Sequence, residues 1–188
     1  YNISPETLQD TRHPSVTVDK ILNEEINFEL YKDTAVCANG SMYRKDKRGF
    51  LPELMDKIYK DRTIYKKKML QAKQDYEKTP TKALEKEIAR CNNIQMARKI
   101  QLNSAYGAIG NQYFRYYKLA NAEAITLSGQ VSIRWIENRM NKYLNKVLKT
   151  EDVDYVIASD TDSIYLNMGP LVESVYKGRE KTTEGVVT

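Results

Sequence analysis

The sequence predicts a mixed α+β fold that is rich in helix. Two long stretches with helical spacing are separated only by Thr79-Pro80-Thr81, and a third runs from about Asn121 to Leu148. Two short apolar or aromatic runs follow, Tyr155–Ala158 and Ile164–Leu166, and their length and composition are typical of strands. The length of 188 residues fits one domain, or one domain with a protruding subdomain, because domains commonly hold about 100–200 residues.

Residues 1–48 predict short elements joined by turns. Turn-forming pairs occur at Ser4-Pro5, His13-Pro14 and Asn39-Gly40. The composition between these turns is mixed and has no long apolar period. We therefore expect short strands, short helices and loops in this part of the chain.

The next segment predicts an antiparallel pair of long helices. From Leu51 onward, apolar and aromatic residues recur at helical spacing, and the cationic triplet Lys66-Lys67-Lys68 lies among them. Pro80 interrupts this pattern but fits the first position of a new helix with Thr79 as its N-cap. The second helix is expected from about Thr81 to Tyr106. Two long helices joined by so short a turn form a helical hairpin.

The last third of the chain predicts a helix followed by a β-hairpin. Gly107 and Gly110 are expected to end the second helix, and Gln112–Tyr117 to form a short aromatic connector before the third. The two strands flank the polar segment Ser159–Ser163, which predicts a β-hairpin with carboxylates at its tip. The tail Lys181–Thr188 has no clear period and is expected to be truncated or disordered.

Composition excludes several classes of protein. With 41% hydrophobic and 29% charged residues, the chain is neither a disordered segment nor a membrane protein. No apolar run approaches the length of about 18–20 residues that spans a bilayer, so no membrane partner is expected. Cys37, Cys91 and the single histidine, His13, exclude the common zinc patterns and disfavour histidine-based nucleophilic catalysis. Reduced thiols in an intracellular setting are the expectation.

The positive charge is concentrated in one segment. Residues 44–99 hold 17 Lys and Arg against 8 Asp and Glu, although the whole chain has a net charge of only +5. Such a positive segment beside an acidic remainder suits a ligand rich in phosphate, with metal-binding carboxylates in the other part. A solvated helical face accounts for the same charge and stays open as an alternative.

A first candidate site lies in the segment Lys99–Gly107. Lys99, Asn103 and Tyr106 are spaced i, i+4 and i+7, so on a helix a cation, an amide and a phenol form one stripe. Arg62 and Lys66 are spaced i, i+4 on the partner helix of the hairpin. These groups together could bind a triphosphate. Two solvated charge stripes remain the competing interpretation.

A second candidate site is Asp160-Thr161-Asp162. Two carboxylates at a tight turn repel each other unless divalent cations or protons relieve the repulsion. Such hard oxygen ligands indicate Mg²⁺ or Mn²⁺ rather than zinc. Aspartate and serine are also common in ordinary polar turns, but strands on both sides would hold these carboxylates rigidly.

Taken together, these residues resemble the family B DNA polymerases, in particular the replicative polymerases of tailed phages. Lys99-x-x-x-Asn103-Ser104-x-Tyr106-Gly107 is similar to the family's fingers motif, and Asp160-Thr161-Asp162-Ser163 to its palm motif, in the same order. Further similarity lies in Tyr1–Thr7, Gly49–Pro52, Gly110–Tyr117 and Ala124–Thr126, so the resemblance extends from Tyr1 to about Leu166.

The resemblance implies a division into two parts of a polymerase. Residues 49–111 would be a protruding fingers hairpin, and residues 1–48 with 112–188 an antiparallel palm sheet with packed helices. Both palm parts are incomplete. The implied activity is DNA-directed DNA polymerisation, in which two Mg²⁺ ions, or Mn²⁺ in their place, support transfer of a nucleotide to a primer 3′-hydroxyl during phage DNA replication.

The resemblance also implies roles for single residues. Arg62, Lys66 and Lys99 would bind the phosphates of the incoming nucleotide, and Lys99 would donate a proton to the departing pyrophosphate. Asn103 would help to position Lys99 and the nucleotide. Tyr106 and Gly107 would form the surface under the nascent base pair. Asp162 would be the principal metal ligand, with Asp160 in support.

The sequence departs from the family's pattern in three ways. Ser159 stands where glycine is common, and the segment 49–111 is short for a phage relative. The family's other essential aspartate, in an Asp-x-x-Ser-Leu-Tyr-Pro-Ser stretch expected just before the segment that Tyr1–Thr7 resembles, is absent from this sequence. We therefore expect a fragment of a longer chain that is inactive alone. Its expected partners are primer–template DNA, deoxynucleoside triphosphates and the remaining exonuclease, palm and thumb regions, with a sliding clamp as a candidate, in the cytoplasm of a host cell.

Two alternatives remain open at this point. A metal-dependent glycosyltransferase would explain Asp160 and Asp162 through a nucleotide-sugar diphosphate but leaves the stripe from Lys99 to Tyr106 without a role. A non-catalytic nucleic-acid-binding module would explain the basic hairpin and the tyrosines, but not the paired carboxylates.

Overall fold

The computed structural model describes residues 1–175, and the tail Lys181–Thr188 lies outside them. The prediction of an α+β fold is confirmed. The elements follow in the order β1 (Leu8–Arg12), α1 (Val18–Leu22), a 3₁₀ turn (Phe28–Tyr31), β2 (Thr34–Val36), β3 (Ser41–Arg44), α2 (Phe50–Lys78), α3 (Lys82–Ile109), α4 (Leu119–Leu148), β4 (Val156–Asp160), β5 (Ser163–Leu166) and α5 (Gly169–Val175).

The strands of residues 1–175 form two separate antiparallel sheets. One has the order β1-β3-β2, and the other is the hairpin β4-β5. The predicted turn at Asn39-Gly40 connects β2 to β3. Gly40 has φ +81°, and a Cβ there would lie 2.3 Å from the carbonyl oxygen of His13. Only glycine satisfies both constraints.

The core lies between the three-stranded sheet and α4. Ala35, Cys37 and Tyr43 pack against Ala124, and all four side chains are buried. The Tyr43 hydroxyl donates a hydrogen bond of 2.8 Å to Oδ1 of Asn121 on α4. Burial raises the pKa of Tyr43, so the phenol remains a neutral donor. This contact fixes the first sheet to the long helix that also carries the second sheet.

The two helices α2 and α3 pack together along their length, as the short turn between them predicts. The buried side chains Met69 and Ala72 of α2 and Cys91 and Gln95 of α3 lie in this part of the structure. No helix within residues 1–175 is long and apolar enough to cross a membrane.

The caps at the hairpin turn differ from the prediction. Thr81, not Thr79, is the N-cap of α3, because its hydroxyl accepts a hydrogen bond of 3.2 Å from the Leu84 amide. The Thr79 amide instead donates to the Asp75 carbonyl and closes the last turn of α2. Pro80 thus lies between the two caps and outside both helices.

The second helix also runs further than predicted. Gly107 lies inside α3, which ends at Ile109 with Gly110 as its C-cap. A single glycine costs a helix interior only about 1 kcal/mol. The flanking residues and the contact of α3 with α4 outweigh that cost.

The segment 1–7 fixes the base of the helical pair. Asn2 Oδ1 accepts a hydrogen bond of 2.8 Å from the Gly49 amide. Glu6 accepts from the Phe50 amide at 2.6 Å and from the Ser4 hydroxyl at 2.5 Å. A carboxylate at a helix N-terminus satisfies an unpaired amide and interacts favourably with the helix dipole. The first residues of the chain therefore determine where α2 begins.

Candidate active site

The two aspartates lie at the tip of the β4-β5 hairpin, as predicted, but the strands reach further than expected. Asp160 is the last residue of β4 and pairs with Ser163, the first of β5. Only Thr161 and Asp162 form the turn. The Asp162 amide donates to the Asp160 carbonyl at 2.6 Å. One carboxylate is therefore carried by a strand end and the other by the turn itself.

Thr161 has an unfavourable backbone conformation at this tip. Its φ is +53°, which is an outlier for a β-branched residue. Its hydroxyl donates to Oδ1 of Asp160 at 2.9 Å, and the Ser163 hydroxyl donates to the Asp160 carbonyl at 3.1 Å. These two hydrogen bonds hold the turn. Such strain is frequent at functional sites.

The loop before the hairpin is held by two asparagines that sequence analysis missed. Asn145 of α4 accepts from the Thr150 hydroxyl at 2.7 Å and from the Val153 amide at 3.1 Å. Asn141, one turn earlier, accepts from the Tyr155 amide at 2.9 Å and donates to Asp154 at 2.8 Å. Their i, i+4 spacing beside a predicted loop is the signal that could have identified them.

A cavity of about 610 Å³ joins the two predicted motifs. Helix α3, helix α4 and the aspartate hairpin each contribute to its wall. The lining residues are Leu102, Asn103, Tyr106, Ile125, Thr126, Gly129, Gln130, Ile133, Ser159 and Thr161. Asn103 and Tyr106 of the first motif therefore face the same space as Thr161 of the second, although more than fifty residues separate them in the sequence. Ser159, which precedes the second motif, also lines this space, whereas Asp160 and Asp162 are not among its lining residues.

A hydrogen bond crosses this cavity wall between α3 and α4. The oxygens of Tyr106 and Thr126 are 2.8 Å apart, and the Thr126 hydroxyl also donates to the Ala122 carbonyl at 3.0 Å. Tyr106 is 48% exposed, so its ring is open to a ligand on one side. Sequence analysis assigned no role to Thr126.

Gly107 follows Tyr106 on α3 and leaves bare backbone beside it. Apart from the adjoining residues and the helix's own backbone, no heavy atom of residues 1–175 lies within 4 Å of the position that a Cβ would take there. The helix is therefore open at this point, and the chain itself gives no steric reason for glycine. Space for a flat ligand beside Tyr106 is the physical consequence.

The predicted cations lie along the helical pair and do not line the cavity. Arg62 and Lys66 are on α2, and Lys99 is on α3, one turn before Asn103. Lys66 and Lys99 are exposed, whereas Nε of Arg62 is buried and has no hydrogen-bond partner among residues 1–175. The structure thus brings Asn103 and Tyr106 to the aspartate hairpin and leaves the cations further along the helices.

The aspartate hairpin carries the two carboxylates that the sequence predicts as metal ligands. Both carboxylates are exposed, and neither takes part in an ion pair within residues 1–175. In the described part of the chain, no group of three or more Asp, Glu, His or Cys could hold a metal. Mg²⁺ is commonly bound by one or two carboxylates together with water and substrate phosphates. Asp160 and Asp162 fit that mode of binding.

Comparison with known proteins identifies the family of this chain. The sequence profile of DNA polymerase family B matches residues 1–180. The DNA-directed DNA polymerase of Enterobacteria phage T4 is 34% identical over 232 aligned residues, which cover 99% of this chain and 25% of the phage protein. The corresponding polymerase of Escherichia phage RB69 is 32% identical over 226 residues, 97% of this chain and 24% of that protein.

A eukaryotic protein is also similar. The DNA polymerase delta catalytic subunit of Drosophila melanogaster is 29% identical over 136 residues, 71% of this chain and 12% of the subunit. The chain spans about a quarter of the length of the phage proteins that it matches. The match to the family profile covers nearly the whole sequence, and the chain therefore belongs to DNA polymerase family B.

Proposed function

We propose that this chain forms the palm and fingers part of a DNA-directed DNA polymerase that adds deoxynucleotides to a primer 3′-hydroxyl. The observation that carries the proposal is the cavity of about 610 Å³, whose wall includes Asn103 and Tyr106 of one motif and Thr161 of the other. Family membership makes a glycosyltransferase the weaker explanation of the two aspartates.

The proposed division assigns residues 49–111 to the fingers and residues 1–48 and 112–188 to the palm. Helices α2 and α3 lie within the first segment, and both sheets lie within the second. The hydrogen bonds of Asn2 and Glu6 to Gly49 and Phe50 support a boundary at that point, since they fix the start of α2 to the sheet side of the molecule.

In this proposal the cations of the helical pair bind the triphosphate. Lys66 and Lys99 are exposed and free to reach phosphate oxygens, and Arg62 would supply a bidentate contact once its side chain turns outward. Lys99 is the proposed proton donor to pyrophosphate, because it lies one helical turn from Asn103, which lines the cavity. Holding the triphosphate in this way would align it with the primer end.

Asp160 and Asp162 are the proposed ligands of Mg²⁺, with Mn²⁺ as a substitute. When bound there, Mg²⁺ would acidify the primer 3′-hydroxyl and neutralise charge on the phosphates. The strand pairing of Asp160 with Ser163 would hold its carboxylate in a constant place relative to the cavity.

Tyr106 and Gly107 are the proposed surface under the nascent base pair. The exposed ring of Tyr106 and the bare backbone at Gly107 would accept a flat pair of bases. Asn103 would contact the nucleotide from the same side of α3. This assignment explains why a helix carries glycine at a position where the chain itself has room for a side chain.

We further propose that residues 1–188 alone do not polymerise. The described residues hold no third acidic, histidine or cysteine ligand that could share a metal with Asp160 and Asp162. The chain also spans only about a quarter of its phage relatives. The activity would then depend on palm, thumb and exonuclease regions elsewhere in the complete polymerase.

The decisive test is Asp162→Ala in the complete polymerase. We expect loss of primer extension with DNA affinity nearly unchanged, because the carboxylate would bind a metal and not DNA. Glu151→Ala, in an exposed loop before the hairpin, is the matched control and should extend primers normally. Normal extension by the Asp162 variant would contradict the metal-ligand assignment.

A second test concerns the triphosphate. Lys99→Ala should raise the KM for the nucleotide and lower kcat by more than about tenfold, because it removes both a phosphate contact and the proposed proton donor. Lys86, an exposed lysine earlier on α3, is the matched control. Unchanged kinetics of the Lys99 variant would remove Lys99 from the site.

A further inference from the structure

An ion pair joins α2 to α3 beside the proposed triphosphate residues. Nε of Arg98 donates to Oδ2 of Asp61 at 2.7 Å, and Nη1 of Arg98 donates to Oε1 of Gln101 at 2.9 Å. Of the ion pairs among residues 1–175, this is the one that connects the two long helices. The guanidinium is therefore held from both sides in a single orientation.

The pair is more sheltered than a typical surface ion pair. The side chains of Asp61 and Arg98 are 35% and 36% exposed, whereas Arg90 in the pair Glu87–Arg90, which lies within α3, is 55% exposed. Partial burial weakens the screening of the two charges by solvent, so their attraction depends more strongly on how the two side chains are oriented.

Each residue of this ion pair is next in sequence to a proposed phosphate ligand. Asp61 directly precedes Arg62, and Arg98 directly precedes Lys99. Successive residues on a helix are about 100° apart around its axis. When two antiparallel helices are viewed from the same end, the residues of one advance clockwise and those of the other advance anticlockwise. Opposite rotation places Arg62 and Lys99 in mirror-related positions on the two helices. Because Nε of Arg62 is buried, Arg62 turns toward the seam between the helices rather than away from it, and Lys99 then falls on the same side, across the seam from the ion pair.

The lining of one cleft is consistent with the ion pair and the two cations lying on different sides of the seam. A cleft of about 730 Å³ is lined by Asp61, Arg98 and Gln101, and by neither Arg62 nor Lys99. Leu54 and Ile64 of α2 line the same cleft, so the ion pair faces a space that is not lined by the two cations proposed to bind phosphate.

We propose that Asp61 and Arg98 are positioning residues that fix the register of α2 against α3, so that Arg62 and Lys99 reach the same triphosphate. This inference rests on the proposed function. A slip of one residue along either helix moves a side chain by 1.5 Å and turns it by about 100°, which would separate the two cations. The ion pair opposes such a slip, whereas the apolar contacts between the helices have no fixed direction.

The test uses steady-state incorporation by the complete polymerase. Asp61→Ala and Arg98→Ala should each raise the KM for the nucleotide about fivefold, with kcat within about twofold and the Kd for primer–template unchanged. The double variant should be no worse than either single variant, because both remove one interaction. Glu87→Ala breaks a comparable pair inside α3 and should leave the KM unchanged.

A test in a polymerase that carries two further substitutions distinguishes a positioning role from a general loss of structure. In a polymerase that already carries Arg62→Ala and Lys99→Ala, Asp61→Ala should cause no further rise in KM, because its effect acts through those two residues. An equal rise in that background, or additive effects of the Asp61 and Arg98 variants, would overturn the inference. If Arg62→Ala and Lys99→Ala themselves leave the KM unchanged, the proposed triphosphate site fails instead.

Discussion

The phenol oxygen of Tyr106 lies 2.8 Å from the hydroxyl oxygen of Thr126, and Tyr106 is the donor. Thr126 has a single hydroxyl proton, which it donates to the Ala122 carbonyl at 3.0 Å, so only its lone pairs remain for Tyr106. The bond joins α3 to α4 across the wall of the candidate site. It fixes the ring whose exposed side is proposed to meet the base pair.

Tyr106→Phe should therefore lower kcat/KM for nucleotide incorporation about fivefold, because it removes one hydrogen bond that contributes about 1 kcal/mol. Thr126→Val should cause a similar loss, and the double variant should lose no more than either single one. Tyr143→Phe, at an exposed tyrosine of α4, is the control. Additive losses from Tyr106 and Thr126 would show that the two residues act independently.

Gly107→Ala should lower activity without lowering stability. Alanine favours a helix interior over glycine by about 1 kcal/mol, and no atom of the chain lies within 4 Å of the new Cβ. The variant should therefore unfold at an equal or higher temperature while it incorporates nucleotides more slowly, because the methyl group would occupy space proposed for the base pair. Thermal unfolding and primer extension measured on the same preparation test this. Unaltered extension would remove Gly107 from the proposed surface.

Glu6 should make the start of α2 sensitive to acid. Burial raises the pKa of Glu6, but hydrogen bonds from the Ser4 hydroxyl and the Phe50 amide together lower it by more, so the pKa lies below the ordinary value of 4.5. The folded state then binds this proton less readily than the unfolded state does. The stabilisation is present above about pH 4.5 and is lost as the pH falls through the folded pKa.

Glu6→Ala should remove this dependence and lower the local stability by about 1 kcal/mol, the usual value of a lost helix cap. Amide hydrogen exchange at Phe50 and Leu51, compared at pH 7 and pH 4, measures the effect. The neighbouring pair Arg44–Asp46 is exposed and offers a control in Asp46→Ala. Equal acid sensitivity in the Glu6 variant and the parent protein would contradict the assignment.

Asn145→Ala should loosen the loop that leads to the aspartate hairpin. The change removes acceptors for Thr150 and Val153 and a donor to the Val153 carbonyl, at a cost of about 2 kcal/mol. Faster hydrogen exchange in residues 150–156 is the expected result, with slower primer extension as a consequence. Asn138→Ala, at an exposed asparagine of the same helix, should change neither quantity. Unchanged exchange in the Asn145 variant would mean that other contacts fix the loop.

Cys37 should be chemically inert in the folded protein. Its side chain is fully buried, and burial raises the pKa of the thiol to about 11. At pH 8 the reactive thiolate is then on the order of one part in a thousand. Iodoacetamide should modify Cys37 only after denaturation, as mass spectrometry of the tryptic peptides would show. Modification of the native protein at the rate of free cysteine would contradict this burial.

The sequence predicted the elements of this fold because their patterns are local. Apolar spacing identified the long helices, Pro80 identified the turn between α2 and α3, and the change of period identified β4 and β5. The errors were local too. Thr79 and Thr81 are both plausible caps, and only the hydrogen bond from Leu84 to Thr81 distinguishes them. Gly107 was expected to end a helix, but contacts outside that helix outweigh its weak local preference.

The sequence by itself determined the family, the two motifs and their order, because each motif is a short run of residue types with a fixed spacing. Only the tertiary structure decided which of those residues share a space. Asn103 and Tyr106 meet Ser159 and Thr161 around one cavity because α4 packs against both α3 and the hairpin. The pairings of Tyr106 with Thr126 and of Asp61 with Arg98 have the same origin. Contacts between residues distant in sequence depend on how whole elements pack, and no local pattern contains that information.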